Sequence, residues 1–345
     1  MSEAFLSDKH GRKIRHLRLS LTDQCNFRCV YCMPPEGVST QPKANFLSVS
    51  ETVKLVQVFS EWGVAKIRLT GGEPLVSDSV LSVTEKIRNL PQVQEIALTT
   101  NGSLLKKFAT PLKAAGLDRI NVSLDSLKRD VFAKMCLRDG LNDVLAGIDA
   151  AKSLGFPIKL NTVVMKDINH TEIFDFVHFA LQNNIDEVRF IEFMPLCGTG
   201  WRPEAVFPLT QAVADLKNQF VTKPVFDTSS VAESFEVAHH GQKTKVGFIQ
   251  TLSKPFCGHC SRIRLSATGF LQPCLFSHAG VNLKPLLAEA SENELKQAIT
   301  ECVFNKNKEN EFAKQKNNHV DLTTTLYQNN SLNRTQYPSI RAIGG

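Results

Sequence analysis

The most informative absences in this 345-residue sequence concern membranes, export and the common nucleotide-binding loops. No apolar run approaches the ~18 residues of a transmembrane helix, so we predict no membrane span. The opening segment, MSEAFLSDKHGRKIRH, lacks the apolar core of a signal peptide, and we expect a cytoplasmic protein. Neither GxGxxG nor GxxxxGK followed by Ser or Thr occurs, which excludes Rossmann and P-loop sites. The net charge of +6 is too diffuse to indicate nucleic-acid binding.

The composition, with 42% apolar and 21% charged residues, is that of a globular protein and excludes wholesale disorder. The first two-thirds alternates strand and helix patterns. Candidate strands lie at 16–22, 66–70, 95–100, 119–124, 158–164 and 187–193, with helical patterns near 50–62, 76–90, 103–115, 140–154 and 170–183. Repeated βα units predict a parallel sheet with outer helices. Six units fall short of the eight in a closed barrel, so the fold class is α/β, an open, partial (βα)6 barrel of TIM type.

The strand–helix alternation stops near residue 225. We therefore divide the chain into a barrel domain, 1–225, and a C-terminal region, 226–345. In that region, 246–250 and 261–276 are predicted to be short antiparallel strands, with Ala267-Thr268-Gly269 as a hairpin turn. A helical stretch follows near 283–302, and the chain ends in Gly344-Gly345.

Several barrel strands are polar on one face. Segment 17–22 alternates leucine with Arg18, Ser20 and Thr22, and segment 119–125 alternates in the same way. A strand packed on both faces should instead be a continuous apolar run. We expect an inner face that surrounds a polar ligand; the alternative is that some of these are edge strands facing water.

Cysteine is abundant and clustered, with nine residues in a chain for which we expect a reducing compartment. Cys25, Cys29 and Cys32 directly follow the first strand, where barrel active sites lie. Three thiolates can hold three corners of an iron–sulfur cluster and leave one iron open for a ligand. Structural zinc needs a fourth ligand, and this loop offers no further Cys or His.

A second cysteine group, Cys257, Cys260 and Cys274, also has spacing typical of a metal site. It indicates either a second cluster held by three thiolates or a zinc knuckle with His259 or a distant residue as the fourth ligand. We expect His259, inside the CxxC, to be a spectator. The other three cysteines, Cys136, Cys197 and Cys302, are interpreted as small buried hydrophobic residues.

The loop CNFRCVYC resembles the CxxxCxxC loop of radical S-adenosylmethionine (SAM) enzymes, and Gly71-Gly72-Glu73-Pro74 resembles their GGEP segment. The resemblance to one family, the GTP 3′,8-cyclases of molybdenum cofactor biosynthesis, extends over nearly the whole chain. It is carried by CNFRCVYC, KIRLTGGEP, LTTNG, RINVSLDSL, KLNTVVMK, RFIEFMP, FCGHCSRIRLSATG and the Gly-Gly terminus. It implies two [4Fe-4S] clusters and SAM as cofactors. A 5′-deoxyadenosyl radical then takes hydrogen from C3′ of GTP, and C3′ attacks C8 of guanine.

The same resemblance implies the roles of individual residues. The catalytic, cluster-binding cysteines are Cys25, Cys29 and Cys32, and the second cluster is held by Cys257, Cys260 and Cys274. The residues assigned to SAM are Tyr31, Gly72, Ser123 and Met194. The residues assigned to GTP are Arg18, Arg68, Thr99, Lys159, Arg262, Ile263 and Arg264. Thr99 is preferred over Thr100 on the family's TTNG pattern, since strand alternation does not separate the two. The Gly344-Gly345 tail enters the active site in the family.

The family resemblance also implies partners. We expect a flavodoxin- or ferredoxin-type electron donor and a downstream cyclic pyranopterin monophosphate synthase, with no nucleic acid and no membrane; a homodimer is allowed. One alternative is a radical SAM peptide-modifying enzyme with an auxiliary cluster, although such enzymes carry more C-terminal cysteines. The other is a zinc-stabilised binding module in which both cysteine groups hold zinc.

Overall fold

The computed structural model describes residues 5–309, apart from 35, 38, 197–198, 228–229 and 278. Cys197 and the Gly344-Gly345 tail therefore lie outside the described residues. No helix in the described part is both long and apolar enough to cross a membrane.

The fold is built on one mixed sheet. The first six strands are β1 His16–Ser20, β2 Lys66–Thr70, β3 Glu95–Thr100, β4 Arg119–Ser123, β5 Ile158–Val164 and β6 Glu187–Glu192. The remaining strands of the described residues are β7 Val221–Val225, β8 Glu233–His239, β9 Gln242–Ile249, β10 Arg262–Leu265, β11 Phe270–Gln272 and β12 Val281–Asn282. Their order is β12-β11-β10-β1-β2-β3-β4-β5-β6-β9-β8-β7. The two ends of this order are not paired with each other, so the predicted open barrel is confirmed.

Helices cover the outside of the sheet. Their bounds are α1 Val49–Glu61, α2 Val80–Arg88, α3 Leu105–Ala114, α4 Arg129–Cys136, α5 Leu141–Ser153, α6 Ile173–Gln182, α7 Leu209–Gln219, α8 Lys284–Glu289 and α9 Glu292–Phe304. Local sequence begins two of them: Ser48 and Glu51 form a capping box on α1, and Ser291 and Glu294 form one on α9. The sequence patterns missed α4, α7, β7, β8 and β12.

The prediction that the C-terminal strands are all antiparallel is wrong, because two of them pair parallel with barrel strands. Strand β10 pairs parallel with β1, and β9 pairs parallel with β6. Antiparallel pairing is confined to β10 with β11, β11 with β12, and β7 and β9 with β8. The hairpin turn between β10 and β11 is confirmed. The C-terminal region thus extends the barrel sheet at both edges, and a boundary at residue 225 stays a prediction.

The register of the sheet separates a polar face from an apolar one. Ile263, Leu17 and Ile67 are aligned on three adjacent strands and are at most 1% exposed. They belong to the core that packs under the helices. Because side chains alternate along a strand, the residues between them point into the barrel. Each of the strands β1 to β6 has a neighbour on both sides, so the edge-strand explanation for their polar residues is wrong.

Candidate active site inside the barrel

The N-terminal cysteine loop leaves β1 at the carboxyl edge of the sheet and is held there by the GGEP segment. The Gly72 amide donates to the Thr22 carbonyl at 2.7 Å, and the Glu73 amide donates to the Gln24 carbonyl at 2.7 Å. A Cβ at Gly71 would overlap the Thr22 carbonyl, and one at Gly72 would overlap that of Gln24. Two glycines are needed here because the backbones touch.

Glu73 ties this segment to the next strand. Its buried carboxylate accepts hydrogen bonds from the Leu75 amide at 3.0 Å, the Thr100 hydroxyl at 2.7 Å and the Asn101 amide at 2.7 Å. Burial raises the pKa of Glu73 to about 7, against the opposing effect of these hydrogen bonds. The Asn101 side chain in turn donates to Asn26 at 2.8 Å. The LTTNG motif therefore supports the cysteine loop through its Asn.

Replacing Glu73 with alanine should destabilise the fold strongly. The change leaves three buried donors without an acceptor, and each costs about 1–3 kcal/mol. We expect the free energy of unfolding to fall by at least about 3 kcal/mol, with a smaller loss for Glu73→Gln, which keeps one carbonyl oxygen. Urea denaturation followed by circular dichroism measures both. A Glu73→Ala protein within about 1 kcal/mol of wild type would contradict this role.

The residues assigned to SAM all lie at the carboxyl edge. Gly72 follows β2, Ser123 is the last residue of β4, and Met194 lies two residues beyond β6. The Tyr31 hydroxyl donates to the Asp125 carboxylate at 2.7 Å, and the Val163 amide donates to the same carboxylate at 2.9 Å. The four positions thus lie at the same edge of the sheet as the cysteine loop, which includes Tyr31; their contacts with SAM stay predictions.

The C-terminal triad is assembled by the β10–β11 hairpin. Cys257 and Cys260 precede β10, and Cys274 follows β11. Arg264 is paired with Gln272, so the antiparallel register carries the chain back to the level at which β10 begins. The hairpin therefore brings Cys274 close in register to Cys260 across a separation of thirteen intervening residues. His259 is exposed.

The two triads lie at opposite ends of the same pair of strands. Because β10 runs parallel to β1 with Arg262 beside His16, Cys257 and Cys260 lie at the amino edge of the sheet. The loop of Cys25 begins at the carboxyl edge, beyond Ser20. At a rise of ~3.3 Å per residue, the levels of His16 and Ser20 are about 13 Å apart. A ligand that reaches both triads must extend along the barrel interior.

Cationic side chains line that interior. Arg264, Arg18 and Arg68 are side by side on β10, β1 and β2. Thr99, Asn121 and Lys159 are aligned across β3, β4 and β5. The side chains at these positions point to the inner face. Thr100 is the next residue after Thr99 and points to the opposite face, where it is 2% exposed and its hydroxyl donates to Glu73. The register therefore separates Thr99 from Thr100, which the sequence pattern alone could not do.

Two further positions differ from what the sequence indicated. Arg189, which no pattern placed, is aligned with Asn161 on the inner face and pairs with Glu187 at 2.5 Å. Ile263 is 0% exposed and belongs to the apolar face. A nucleotide contact at position 263 would have to come from main-chain atoms, and this assignment stays a prediction.

The inner face carries more positive than negative charge. Burial, followed by repulsion from Arg264 and Arg68, lowers the pKa of Arg18, and burial with Arg119 and Arg189 lowers the pKa of Arg68 to about 9. Within the described strands, the acidic side chains on this face are Glu95, paired with Arg119, and Glu187, paired with Lys159 and Arg189. Crowded guanidinium groups repel each other, so an anion bound among them is stabilised by several contacts.

The cysteine sulfurs of the two triads are not packed as closely as in a tetrahedral zinc site. Tetrahedral zinc with Zn–S bonds of ~2.3 Å needs sulfurs about 3.8 Å apart. Among the described residues, neither triad has its three sulfurs within 4.8 Å of one another. Burial and then the charge of Glu73 raise the pKa of Cys25 to about 12. The spacing of the sulfurs argues against the zinc-module alternative.

Sequence reasoning missed three buried residues beside the triads. Cys136 is predicted to be a small buried hydrophobic residue, and it is buried. Its sulfur, the Cys29 sulfur and an Asp125 carboxylate oxygen also lie within 4.8 Å of one another. Lys306 and Arg12 contact the C-terminal triad from distant parts of the chain. No local motif marks any of them, because each is a single residue brought in by tertiary contacts.

A partial parallel barrel with a three-cysteine loop at its carboxyl edge defines the class of radical SAM proteins. The family model described as Radical SAM superfamily matches residues 19–180, and one described as Molybdenum Cofactor Synthesis C matches residues 186–312. The chain belongs to the GTP 3′,8-cyclase family of this superfamily, the family of molybdenum cofactor synthesis. Membership implies SAM and a [4Fe-4S] cluster, and the predicted family is confirmed.

Relatives support this membership over most of the chain. The chain is 42% identical over 283 residues to a GTP 3′,8-cyclase of Petrotoga mobilis, covering 80% of this chain and 86% of that protein. It is 40% identical over 316 residues to Molybdenum cofactor biosynthesis protein 1 of Drosophila melanogaster, covering 91% of this chain and 56% of that protein. The chain thus spans about half the length of this animal relative.

A solved structure shares the fold at low sequence identity. Streptococcus suis SuiB bound to its precursor peptide SuiA superposes with a TM-score of 0.59 at 14% identity, covering 86% of this chain and 66% of that one. At this identity, the likeness concerns the fold alone.

Proposed function

We propose that this protein converts GTP to (8S)-3′,8-cyclo-7,8-dihydroguanosine 5′-triphosphate, the first step of molybdenum cofactor biosynthesis. The observation that carries the proposal is the cation-lined barrel interior between two cysteine triads at opposite ends of the same strands. A triphosphate fits this charge, and the length of the interior suits a ligand held at both ends. The bacterial relatives are named GTP 3′,8-cyclases, which supports GTP as the substrate.

The residues at the carboxyl edge hold SAM and the first cluster. Cys25, Cys29 and Cys32 would hold a [4Fe-4S] cluster, which would supply the electron for cleavage of SAM to methionine and the 5′-deoxyadenosyl radical that removes the C3′ hydrogen of GTP. Gly72 lets the backbone approach SAM closely because it has no side chain. Tyr31 is fixed by its hydrogen bond to Asp125 and forms one wall of the SAM site.

The inner face holds the nucleotide. Arg18, Arg68 and Arg264 present planar guanidinium groups that suit phosphate oxygens, and Lys159 adds a compact charge. These contacts keep the ribose between the two triads and exclude water from the phosphates. Cys257, Cys260 and Cys274 would hold a second [4Fe-4S] cluster, which would provide a binding position for the guanine base at the amino edge.

The function requires two partners of defined chemistry. A flavodoxin- or ferredoxin-type protein supplies two electrons per turnover, one that cleaves SAM and one that, with a proton, reduces the nucleotide radical left after C3′ attacks C8. A cyclic pyranopterin monophosphate synthase consumes the product.

The decisive experiment is anaerobic incubation of the cluster-loaded protein with SAM, a reductant and GTP deuterated at C3′. We expect chromatography with mass spectrometry to resolve a cyclised nucleotide, which is an isomer of GTP and has lost the C3′ deuterium, and to find that deuterium in the 5′-deoxyadenosine. SAM cleavage with GTP unchanged would contradict the proposal, as would deuterium retained at C3′. A colourless protein that holds stoichiometric zinc after anaerobic purification would favour the binding module instead.

Removing an inner-face arginine should weaken GTP binding selectively. Losing one charge-assisted contact costs about 1.5–3 kcal/mol, which is roughly tenfold or more in affinity. We therefore expect Arg262→Ala and Arg264→Ala to raise the Kd for GTP at least about tenfold and to leave the Kd for SAM nearly unchanged. Isothermal titration calorimetry measures both. The matched control is Arg138→Ala, at an exposed position. An unchanged GTP affinity would remove these residues from the site.

The contribution of Lys159 should depend on pH. Burial and then the charge of Arg189 lower its pKa to about 7, although Glu187 acts in the opposite direction. Lys159 is thus charged below about pH 7 and loses its proton above it, so its contact with phosphate weakens as pH rises. At one pH unit above the pKa, proton uptake costs about 1.4 kcal/mol, or roughly tenfold in affinity.

The matched comparison is with Lys159→Met, because the phosphates titrate equally in both proteins. The ratio of the variant's Kd for GTP to the wild-type Kd should fall by roughly tenfold between about pH 6 and about pH 8. A ratio that stays constant over this range would show that the Lys159 charge does not contact the nucleotide.

A further inference from the structure

A fully buried lysine lies at the C-terminal triad. Lys306 follows α9, is 2% exposed and is among the largest fully buried side chains. Its ammonium donates to the carbonyl oxygens of Arg262 at 2.5 Å and Pro273 at 2.8 Å, and it contacts the Cys260 sulfur at 3.4 Å. An ammonium group has three donors, and these three contacts use all of them.

The acceptors belong to the two segments that carry the triad. Arg262 lies two residues after Cys260, and Pro273 directly precedes Cys274. The third cysteine has a similar support, since Arg12 donates to the Cys257 carbonyl at 2.7 Å. The same guanidinium donates to the carbonyls of residues 307 and 308 at 2.6 and 3.0 Å. The segment after α9 is therefore bonded directly to the segments of Cys260 and Cys274 and, through Arg12, to Cys257.

The charge of Lys306 is not balanced by a nearby acid. No carboxylate of the described residues lies within 4.0 Å of its ammonium group. Arg12 differs in this respect, because Asp8 pairs with it at 2.5 Å. A buried ammonium is costly unless an anion compensates it. The anions available at this place are the sulfurs of Cys260 and Cys274, which are negative as metal ligands.

We propose that Lys306 is a positioning residue of the C-terminal metal site, which holds the Cys260 and Cys274 segments together and compensates the negative charge of their metal-bound sulfurs. This inference rests on the proposed function of the triad as a cluster site. Two consequences follow. Without the ammonium group, the segments separate more easily and the cluster is retained less well. Without its positive charge, any cluster that is retained is harder to reduce, because reduction adds negative charge.

The test compares Lys306→Met with Lys306→Arg in the full-length, anaerobically reconstituted protein. Iron and sulfide per chain are measured, together with the midpoint potential of the C-terminal cluster by electron paramagnetic resonance. The matched control is Lys284→Met, since Lys284 also bonds two carbonyls, those of Ala44 and Phe46, away from any cysteine. Cys274→Ala defines the iron content of a protein without a stable C-terminal cluster.

We expect Lys306→Met to lose iron toward the level of Cys274→Ala, and its remaining C-terminal cluster to have a more negative potential. Lys306→Arg, which keeps the charge, should recover most of the iron, and Lys284→Met should resemble wild type. Wild-type iron and potential in Lys306→Met would overturn the inference, and equal losses in Lys306→Met and Lys306→Arg would overturn the role of the charge. If Cys274→Ala itself kept wild-type iron, the proposed function of the triad would fail instead.

Discussion

Cys25→Ala is expected to abolish SAM cleavage and to remove about half of the bound iron. Three cysteines leave one open position on a four-iron cluster, so removing one thiolate disrupts both retention of the cluster and SAM binding. The measurement is 5′-deoxyadenosine formation with dithionite as reductant, together with iron per chain. The loss should be complete, because a cluster held by only two of the three thiolates is not retained in the form that binds SAM.

The matched control is Cys302→Ala. Cys302 is half-buried, lies in α9 and contacts the Leu271 carbonyl at 3.7 Å, apart from both triads. It should retain wild-type iron and SAM cleavage. Cleavage of SAM by Cys25→Ala at a substantial fraction of the wild-type rate would refute the assignment of the first triad.

Cys274→Ala is expected to uncouple SAM cleavage from GTP cyclisation. SAM cleavage should persist, since Cys274 lies at the amino edge of the barrel and the SAM residues lie at the carboxyl edge. GTP cyclisation should stop, because under the proposed function the base would lose the metal site that orients it along the barrel. Binding energy that positions a reacting atom is worth many powers of ten in rate, so a loss of at least about 10²-fold is expected.

The measurement pairs 5′-deoxyadenosine with cyclised nucleotide in the same reaction. The diagnostic result is uncoupling, in which 5′-deoxyadenosine forms and the cyclic product does not. Cyclised product at the wild-type rate would show that the second triad has no role in GTP binding. Simultaneous loss of both products, with an unfolded circular dichroism spectrum, would show that Cys274 acts on the fold.

Much of the barrel could be predicted because its signals are local. Alternation of Leu17 and Leu19 with Arg18 predicts both a strand and a polar face, since side chains on a strand alternate with period two. All six barrel strands were located to within about two residues. The first triad was equally accessible, because its cysteines share one short loop. The β10–β11 turn followed from Ala267-Thr268-Gly269.

Non-local pairing was not accessible in this way. Strand β9 has the same local pattern whether it pairs parallel or antiparallel, so its pairing with β6 was missed. The strand phase that separates Thr99 from Thr100 depends on which face meets the helices. The sequence did not show which face of β6 carries Arg189; its alignment with Asn161 places it on the inner face.

The sequence by itself determined the chemistry of this protein: two groups of three cysteines, a polar strand face and the motifs of its family. These are patterns of residue type at short spacing, and chain connectivity enforces them. Only the tertiary structure decided that the triads lie at opposite ends of β1 and β10, and that Lys306 and Arg12 support the second one. Such contacts join segments as far apart as Arg12 and Cys257, and their partners are selected by the packing of the whole sheet, which leaves no local pattern.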